Sequence, residues 1–152
     1  LVCYGKAIGN GYPISALVGR REIMQRVERD VFMSSTFGGE AVSLAAACAT
    51  LDVLRKEAVP SQLAEVGISL ASAYNNAARQ LGMDTELYGY PKRLVMRWAV
   101  PEQRAVFLSA LIELGVLCSG YINLTLAHTL APTAEALRAA LLVALSMMVC
   151  MQ

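Results

Sequence analysis

The most informative stretch of this sequence is GKAIGNGYP, residues 5–13. The residues before it, 1–4, predict the end of a buried strand, and the glycines and the proline predict a loop. Lys6 therefore directly follows a strand, where α/β folds place groups that bind ligands. A lysine amine there becomes a nucleophile once partial burial disfavours its charged form. The alternative is an ordinary exposed loop lysine. The order of residues excludes a P-loop, in which the lysine follows the glycines.

A second segment, SSTFGGE at residues 34–40, leads into a predicted helix. Thr36 supplies a hydroxyl, and the two glycines after it leave backbone amides open near the helix start. Free amides and a hydroxyl at a helix N-terminus suit an anion such as phosphate. The alternative is that Ser35 or Thr36 only caps the helix. Glu40 is compatible with both interpretations, because acidic residues favour the first turn.

Hydrophobic periodicity and chain breakers predict the remaining elements. The predicted strands are 14–19, 93–98 and 121–126, and the predicted helices are 20–29, 40–57, 61–81, 101–114 and 134–149. Gly82 and Gly115 are expected to end the helices that precede them. After Pro60 the order is helix, strand, helix, strand, helix. That order predicts a small α/β layer with one sheet and helices on one face.

The composition of the 152-residue chain is poor in charge. Hydrophobic residues make up 56% and charged residues 16%, whereas soluble domains average about 25% charged residues. The net charge of +1, with both signs mixed along the chain, argues against a basic surface for nucleic acid or anionic membranes. Large exposed apolar patches usually mark interfaces, so we expect much of this surface to be covered by other protein.

The cysteines and the apolar segments set the expected compartment. The four cysteines, none of them in a C-x-x-C pair, are Cys3, Cys48, Cys118 and Cys150. They predict neither a metal site nor a disulfide framework, and a reducing cytoplasm is expected. Residues 1–5 lack the charged start of a signal peptide. The most apolar run, 139–151, would extend about 20 Å as a helix, which is short of a ~30 Å hydrocarbon core. No membrane span is expected.

Four motifs in order resemble the class III pyridoxal-phosphate-dependent aminotransferases, in particular the glutamate-1-semialdehyde aminomutase branch. The matching motifs are GKAIGNGYPI at 5–14, GRREIM at 19–24, STFGGE at 35–40 with the Ala-rich helix after it, and NLTLAHT at 123–129. The resemblance implies the C-terminal part of a fold-type I transferase of the α/β class. Residues 1–57 would then end the large cofactor-binding domain, and residues 58–152 would form the small C-terminal α/β domain.

The resemblance also implies roles for individual residues. Lys6 matches the lysine that forms a Schiff base with pyridoxal phosphate and then transfers protons as general acid and base. Thr36 matches the threonine that contacts the cofactor phosphate of the neighbouring subunit in a homodimer, and Ser35 beside it is a further candidate for cofactor binding. Pyridoxal phosphate acts as the electron sink, so that the protein holds, orients and tunes it. The implied reaction is amino-group transfer on a small molecule, with an amino acid semialdehyde or an amino sugar precursor as the expected substrate.

Parts of the family's catalytic domain have no counterpart in this sequence. A phosphate loop, a ring-stacking aromatic residue and an aspartate for the pyridine nitrogen belong upstream of the lysine, but Asp30, Asp52 and Asp84 all follow Lys6. We therefore expect this chain to be a fragment that does not hold the cofactor properly by itself. The alternative is a non-catalytic remnant or a dimerisation piece of such an enzyme.

Two further side chains, Arg97 and His128, are candidates for functional groups. The run 121–128 contains no arginine, so no clamp for a substrate carboxylate is predicted there. Arg97 is a possible substitute, although an exposed position on a strand face is expected. His128, the sole histidine, could act as a base, but a hydrogen-bonded structural role at a strand-to-helix junction is expected.

Overall fold

The computed structural model describes residues 1–149, so that Cys150 lies outside the described residues. The chain forms two compact units. Unit 1 is Leu1–Ala58, and unit 2 begins at Val59.

Unit 1 contains two short strands and two helices. They are β1 (Val2–Tyr4), β2 (Ala16–Val18), α1 (Arg21–Met24) and α2 (Ala41–Lys56). The strands pair antiparallel, with Val2 opposite Val18, and a single 3₁₀ turn, Lys6–Ile8, follows β1. The prediction that these strands are buried is wrong for this chain, because every residue of β1 is exposed and β2 is at most half-buried. The helix predicted over 20–29 is limited to α1, since residues 25–30 form turns.

Very little of unit 1 is buried. Its only buried residues are Gly9, Ser43 and Ala47, whereas Phe32 is 94% exposed. Helix α2 also exposes large apolar side chains, namely Val42, Leu44, Leu51, Val53 and Leu54. A unit with so few buried side chains gains little from the hydrophobic effect, which scales with the apolar area removed from water.

Unit 2 contains three helices and a three-stranded sheet. The elements are α3 (Val59–Gln80), β3 (Thr85–Tyr90), β4 (Arg93–Trp98), α4 (Pro101–Glu113), β5 (Tyr121–Asn123) and α5 (Ala131–Val149), with a 3₁₀ turn, Leu126–Thr129, before α5. The strand order is β3-β4-β5, and both pairings are antiparallel. The mixed helix and sheet architecture predicted from the sequence is confirmed.

Strand β3 is missing from the sequence prediction. The sequence prediction assigned no element between the helix over 61–81 and the strand over 93–98, yet Thr85–Tyr90 pairs along its whole length with β4. The outer edge of β3 is held by α3, because Asn75 Nδ2 donates to the Leu87 carbonyl at 2.9 Å and Asn75 Oδ1 accepts from the Leu87 amide at 2.8 Å. This edge strand therefore depends on partners that are distant in sequence.

Both predicted helix stops are confirmed. Gly82 follows α3 with φ +67°, and the amide of Met83 donates back to the carbonyl of Ala78 at 2.9 Å. Gly115 follows α4 with φ +81°. A residue in the left-handed conformation just after a helix lets the following amides donate to the last carbonyls of the helix, and glycine takes that conformation without strain.

The helices of unit 2 bury one face of the sheet. Side chains alternate along β3, so that Thr85 and Leu87 point into the core while Glu86 and Tyr88 are exposed. The core contains side chains from all six elements, including Leu70, Tyr74, Leu87, Leu94, Met96, Phe107, Leu111, Ile122, Leu141 and Leu145. This single cluster makes unit 2 the stable part of the structure.

A short chain of hydrogen bonds crosses this core. Thr85 Oγ1 donates to the carbonyl of Arg97 at 2.8 Å, so the Tyr74 hydroxyl donates to Thr85 Oγ1 at 2.7 Å. Burial raises the pKa of Tyr74, which keeps the phenol protonated as a donor. The Tyr74 ring also meets Phe107 edge-on, with ring centroids 6.0 Å apart. The buried hydroxyls of Tyr74 and Thr85 are therefore satisfied without solvent.

Helix α5 is longer than the apolar run on which the sequence argument relied. With 19 residues and a mean hydropathy of 1.4, it is long and apolar enough to cross a membrane by length and composition. The length argument against a membrane span is therefore wrong. Leu141, Ala144 and Leu145 of α5 are nevertheless buried in the core of unit 2. A core helix passes the same test, so this helix alone is weak evidence for a membrane span.

The support of β3 by α3 can be tested with two neighbouring asparagines. Asn75→Ala removes both hydrogen bonds to Leu87, and we expect the free energy of unfolding to fall by about 1–3 kcal/mol. Asn76→Ala is the matched control, because Asn76 is exposed and, within residues 1–149, its side chain hydrogen-bonds only with Arg79 on its own helix. Its effect should stay within about 0.5 kcal/mol. Urea denaturation measures both values. Equal effects of the two substitutions would contradict the role given to Asn75.

Candidate functional site

Lys6 occupies an unusual backbone conformation directly after β1. It is the first residue of the 3₁₀ turn Lys6–Ile8, and its φ of +45° lies in the left-handed region. A residue other than glycine in that region costs roughly 1–3 kcal/mol, and such strain clusters at functional sites. The turn is closed by two amides: Ile8 donates to the Gly5 carbonyl at 3.4 Å, and Gly9 donates to the Lys6 carbonyl at 3.3 Å.

The loop after Lys6 folds back tightly on Gly9. The amide of Tyr12 donates to the Gly9 carbonyl at 3.2 Å. A side-chain carbon added at Gly9 would lie 2.6 Å from the carbonyl oxygen of Tyr12 and 2.5 Å from Cγ2 of Ile14. Position 9 therefore requires glycine, because the backbone of Tyr12 and the side chain of Ile14 leave no room for a side chain there. This explains one of the glycines in the sequence motif.

Lys6 is exposed and lines an open groove of about 520 Å³. The groove is lined by Gly5, Lys6, Gly11, Tyr12, Pro13, Ile14 and Ser15. Nothing lies within 4 Å of where side chains at Gly5 or Gly11 would begin. The groove can therefore admit a bulky ligand next to a primary amine, and an aldehyde is the chemical group that such an amine binds covalently.

Ser35 and Thr36 lie on the exposed loop before α2. Two turns shape this loop, since the Gly38 amide donates to the Ser35 carbonyl and the Glu40 amide donates to the Phe37 carbonyl, each at 3.2 Å. Neither the Ser35 nor the Thr36 hydroxyl forms a hydrogen bond within residues 1–149. Both hydroxyls are therefore available to a ligand.

The cap of α2 is Glu40, not Ser35 or Thr36. Its Oε1 accepts from the Val42 amide at 2.8 Å, and its Oε2 accepts from the Ser43 amide at 2.7 Å. The nearby Ser43 hydroxyl and the amides of Ser43 and Val42 lower the pKa of the Glu40 carboxyl, because all three favour its charged form. The interpretation of Ser35 or Thr36 as the helix cap is therefore wrong. Of the two glycine amides expected to be open, that of Gly38 donates to the Ser35 carbonyl, and the Glu40 carboxylate holds two further amides in the first turn of the helix.

The Lys6 turn and the Ser35–Thr36 loop are both connected to helix α2 in unit 1. The 3₁₀ turn that carries Lys6 packs against α2, and the loop that carries Thr36 leads directly into α2. Ser43 and Ala47 on α2 are buried. Ser35 and Thr36 do not line the Lys6 groove, so within one chain the structure does not join these three side chains in a single pocket.

The other polar candidates have structural roles. Arg97 lies on the exposed face of β4 and pairs with Asp84 at 3.1 Å and Glu86 at 3.7 Å. Nδ1 of His128 accepts from the Thr125 amide at 3.1 Å, which confirms the hydrogen-bonded structural histidine. No group of three or more His, Cys, Asp or Glu side chains within residues 1–149 is placed to hold a metal ion.

Comparisons with known proteins identify the family. The aminotransferase class-III family model matches residues 1–141. Glutamate-1-semialdehyde 2,1-aminomutase of Pelotomaculum thermopropionicum is 40% identical over 86 residues, which cover 55% of this chain and 20% of that enzyme. Aminopentol aminotransferase of Sphingopyxis macrogoltabida is 31% identical over 144 residues, which cover 91% of this chain and 34% of that enzyme.

A solved structure shows the same fold. The FumI protein of Sphingopyxis sp. MTA144, determined in its pyridoxal phosphate (PLP) internal aldimine form, superposes with a TM-score of 0.84 and 28% identity, over 95% of this chain and 36% of that chain. This chain thus spans about a fifth to a third of the length of the relatives it matches. The chain has the fold of a PLP-dependent transaminase over most of its length, consistent with the C-terminal portion of a fold-type I transferase, and it belongs to the class-III aminotransferase family.

Proposed function

We propose that this chain carries the reactive lysine of a PLP-dependent enzyme that transfers amino groups, as an aminotransferase or an aminomutase. The observation that carries the proposal is the position of Lys6. Its amine follows β1 in a strained turn and lines an open groove, in a chain that belongs to an aminotransferase family. In this proposal, Lys6 would hold PLP through its Nζ at the aldehyde carbon, with the aldehyde oxygen leaving as water, and would move protons during the reaction.

The chain's own residues fit two ends of the cofactor. Lys6 supplies the primary amine for the aldehyde, and the open space at Gly5 and Gly11 leaves room for the ring. Thr36 and Ser35 supply hydroxyls without another hydrogen-bond partner among the described residues, which suit a phosphate. When bound, PLP supplies an electron sink for negative charge at the substrate carbon.

The complete site requires more protein than this chain. Unit 1 buries only three residues, and the relatives are about three to five times longer than the matched region. We propose that residues 1–57 end the large cofactor-binding domain and that residues 58–152 are the small domain. We also propose a cytoplasmic homodimer in which Thr36 contacts the phosphate bound by the partner subunit. This arrangement agrees with the absence of Thr36 from the Lys6 groove of its own chain.

The substrate class is proposed from the relatives. The two relatives described above are an aminomutase and an aminotransferase, and both names indicate amino-group chemistry on small molecules. We propose a small amino donor and acceptor, with an amino acid semialdehyde or an amino sugar precursor as the candidate.

Reductive labelling tests the reactive lysine directly, because the chain has only three lysines, Lys6, Lys56 and Lys92. The purified chain is mixed with PLP, reduced with borohydride and mapped by peptide mass spectrometry. We expect the label to concentrate on Lys6, since the groove beside its amine can hold the cofactor ring. The helix residue Lys56, paired with Asp52 at 3.5 Å, serves as the internal reference. Label spread evenly over the three lysines, or absent, would show that this chain by itself does not direct PLP to Lys6.

The Thr36 hydroxyl is tested through cofactor retention. In the full-length enzyme, Thr36→Ala should weaken PLP binding by about 1.5–3 kcal/mol, the usual worth of a hydrogen bond to a charged group. Thr36→Ser keeps the hydroxyl and should bind PLP nearly as the native chain does. Equilibrium dialysis measures the affinity, and pyridoxal, which lacks the phosphate, is the matched ligand control. Equal losses for PLP and pyridoxal would show that the hydroxyl does not contact the phosphate.

A further inference from the structure

We infer that Glu40 is a positioning residue whose carboxylate closes the start of α2 and thereby orients the loop that carries Ser35 and Thr36. The purpose of that orientation, contact with the cofactor phosphate, rests on the proposed function. The orientation itself follows from contacts within unit 1.

The geometry of the cap is the first argument. Both oxygens of one carboxylate are used, each by a different amide: Val42 at 2.8 Å and Ser43 at 2.7 Å. Ser, Thr, Asp and Asn are the preferred residues at this position, and three such residues precede Glu40 in SSTFGGE. The longer glutamate is nevertheless the residue that folds back on the helix. The helix therefore begins at Ala41 and leaves the hydroxyls before it uncommitted.

The connection between this cap and the hydroxyls is short and closely packed. The amide of Glu40 binds the Phe37 carbonyl, and the amide of Gly38 binds the Ser35 carbonyl. A side-chain carbon at Gly38 would lie 2.9 Å from Ser35 Oγ, so Ser35 packs directly on the backbone of that turn. The two turns thus link the backbone of Ser35 to the residue that caps α2.

Other anchors for the loop are scarce. The hydroxyls of Ser35 and Thr36 form no hydrogen bond with another residue of the described chain, and the Phe37 side chain is 66% exposed. The cap at Glu40 is therefore the point at which the loop is attached to the packed part of unit 1, because Ser43 and Ala47 behind it are buried.

The Glu40 cap also determines which groups of this loop can bind an anion. The amides of Val42 and Ser43 are the groups that a helix start would offer to a phosphate, and Glu40 already holds them. A phosphate at this loop therefore cannot use those two amides, and the Ser35 and Thr36 hydroxyls are the uncommitted side-chain donors beside them. The Glu40 carboxylate orders the loop that carries these hydroxyls.

Backbone dynamics of the 152-residue chain test the inference without any cofactor. In the native chain, NMR order parameters of Gly38 and Gly39 should be near 0.85, as in ordered backbone, and in Glu40→Ala they should fall below about 0.6. Glu40→Asp, which places the preferred short carboxylate at the cap, should restore them. Unit 2 should be unaffected in every variant.

The matched control is Asp52→Ala on the same helix. Asp52 is an exposed carboxylate that pairs with Arg55 at 2.9 Å and Lys56 at 3.5 Å, so its removal changes the charge of α2 by the same amount. Order at Gly38 and Gly39 should stay native. If Glu40→Ala leaves these two glycines ordered, or if Asp52→Ala loosens them equally, the inference is wrong.

The consequence for phosphate binding is measured with PLP and pyridoxal in parallel. In the full-length enzyme, Glu40→Ala should weaken PLP binding by about 10-fold or more, the range expected for loss of the Thr36 hydrogen bond, and leave pyridoxal binding unchanged. The double variant with Thr36→Ala should lose little more than Thr36→Ala alone, since both act through one contact.

The two ideas fail in different ways. If Thr36→Ala does not change PLP affinity, the proposed phosphate contact fails, while the order parameters still decide the role of Glu40. If Thr36→Ala weakens PLP binding and Glu40→Ala does not, the positioning role is overturned.

Discussion

Two hydrogen bonds at the start of α2 support the candidate site. The amides of Val42 and Ser43 bind the Glu40 carboxylate, and this cap sets where the helix begins. The loop that carries Thr36 is attached to it, and the turn that carries Lys6 packs against the same helix. Neither segment has many other contacts, because unit 1 buries only three of its residues. The geometry of both therefore depends on α2.

Stability and chemistry are divided between the two units. Unit 2 has one hydrophobic cluster in which three helices cover a sheet, so it gains most from the burial of apolar surface. Unit 1 has the strained lysine turn and the loop with uncommitted hydroxyls, but almost no core. Strain at a functional site persists only where surrounding structure holds it. In the proposed enzyme, that support comes from the remaining part of the large domain and from a second subunit.

Sequence reasoning identified the segments of the site but not all of their contacts. Residue types and spacing located Lys6, its glycine-rich turn and the loop before α2, whereas the roles expected of them came from the resemblance to the family. The helix cap does not, because Ser35, Thr36 and Glu40 all carry acceptors that could bind the same amides. The choice among them depends on the two turns between Ser35 and Glu40, which is a matter of backbone geometry. A glutamate directly after two glycines at a helix start was the available signal.

The sequence by itself determined the features that depend on neighbouring residues. These include the helices α2, α3 and α4, the helix ends at Gly82 and Gly115, the alternation of β4 and the family motifs. Each of these depends on periodicity, chain breakers or spacing among residues that are close in sequence. Tertiary structure decided strand β3, because the Asn75 side chain and β4 satisfy its backbone from distant positions. It also decided the exposure of β1, since a strand is buried only when other elements cover it.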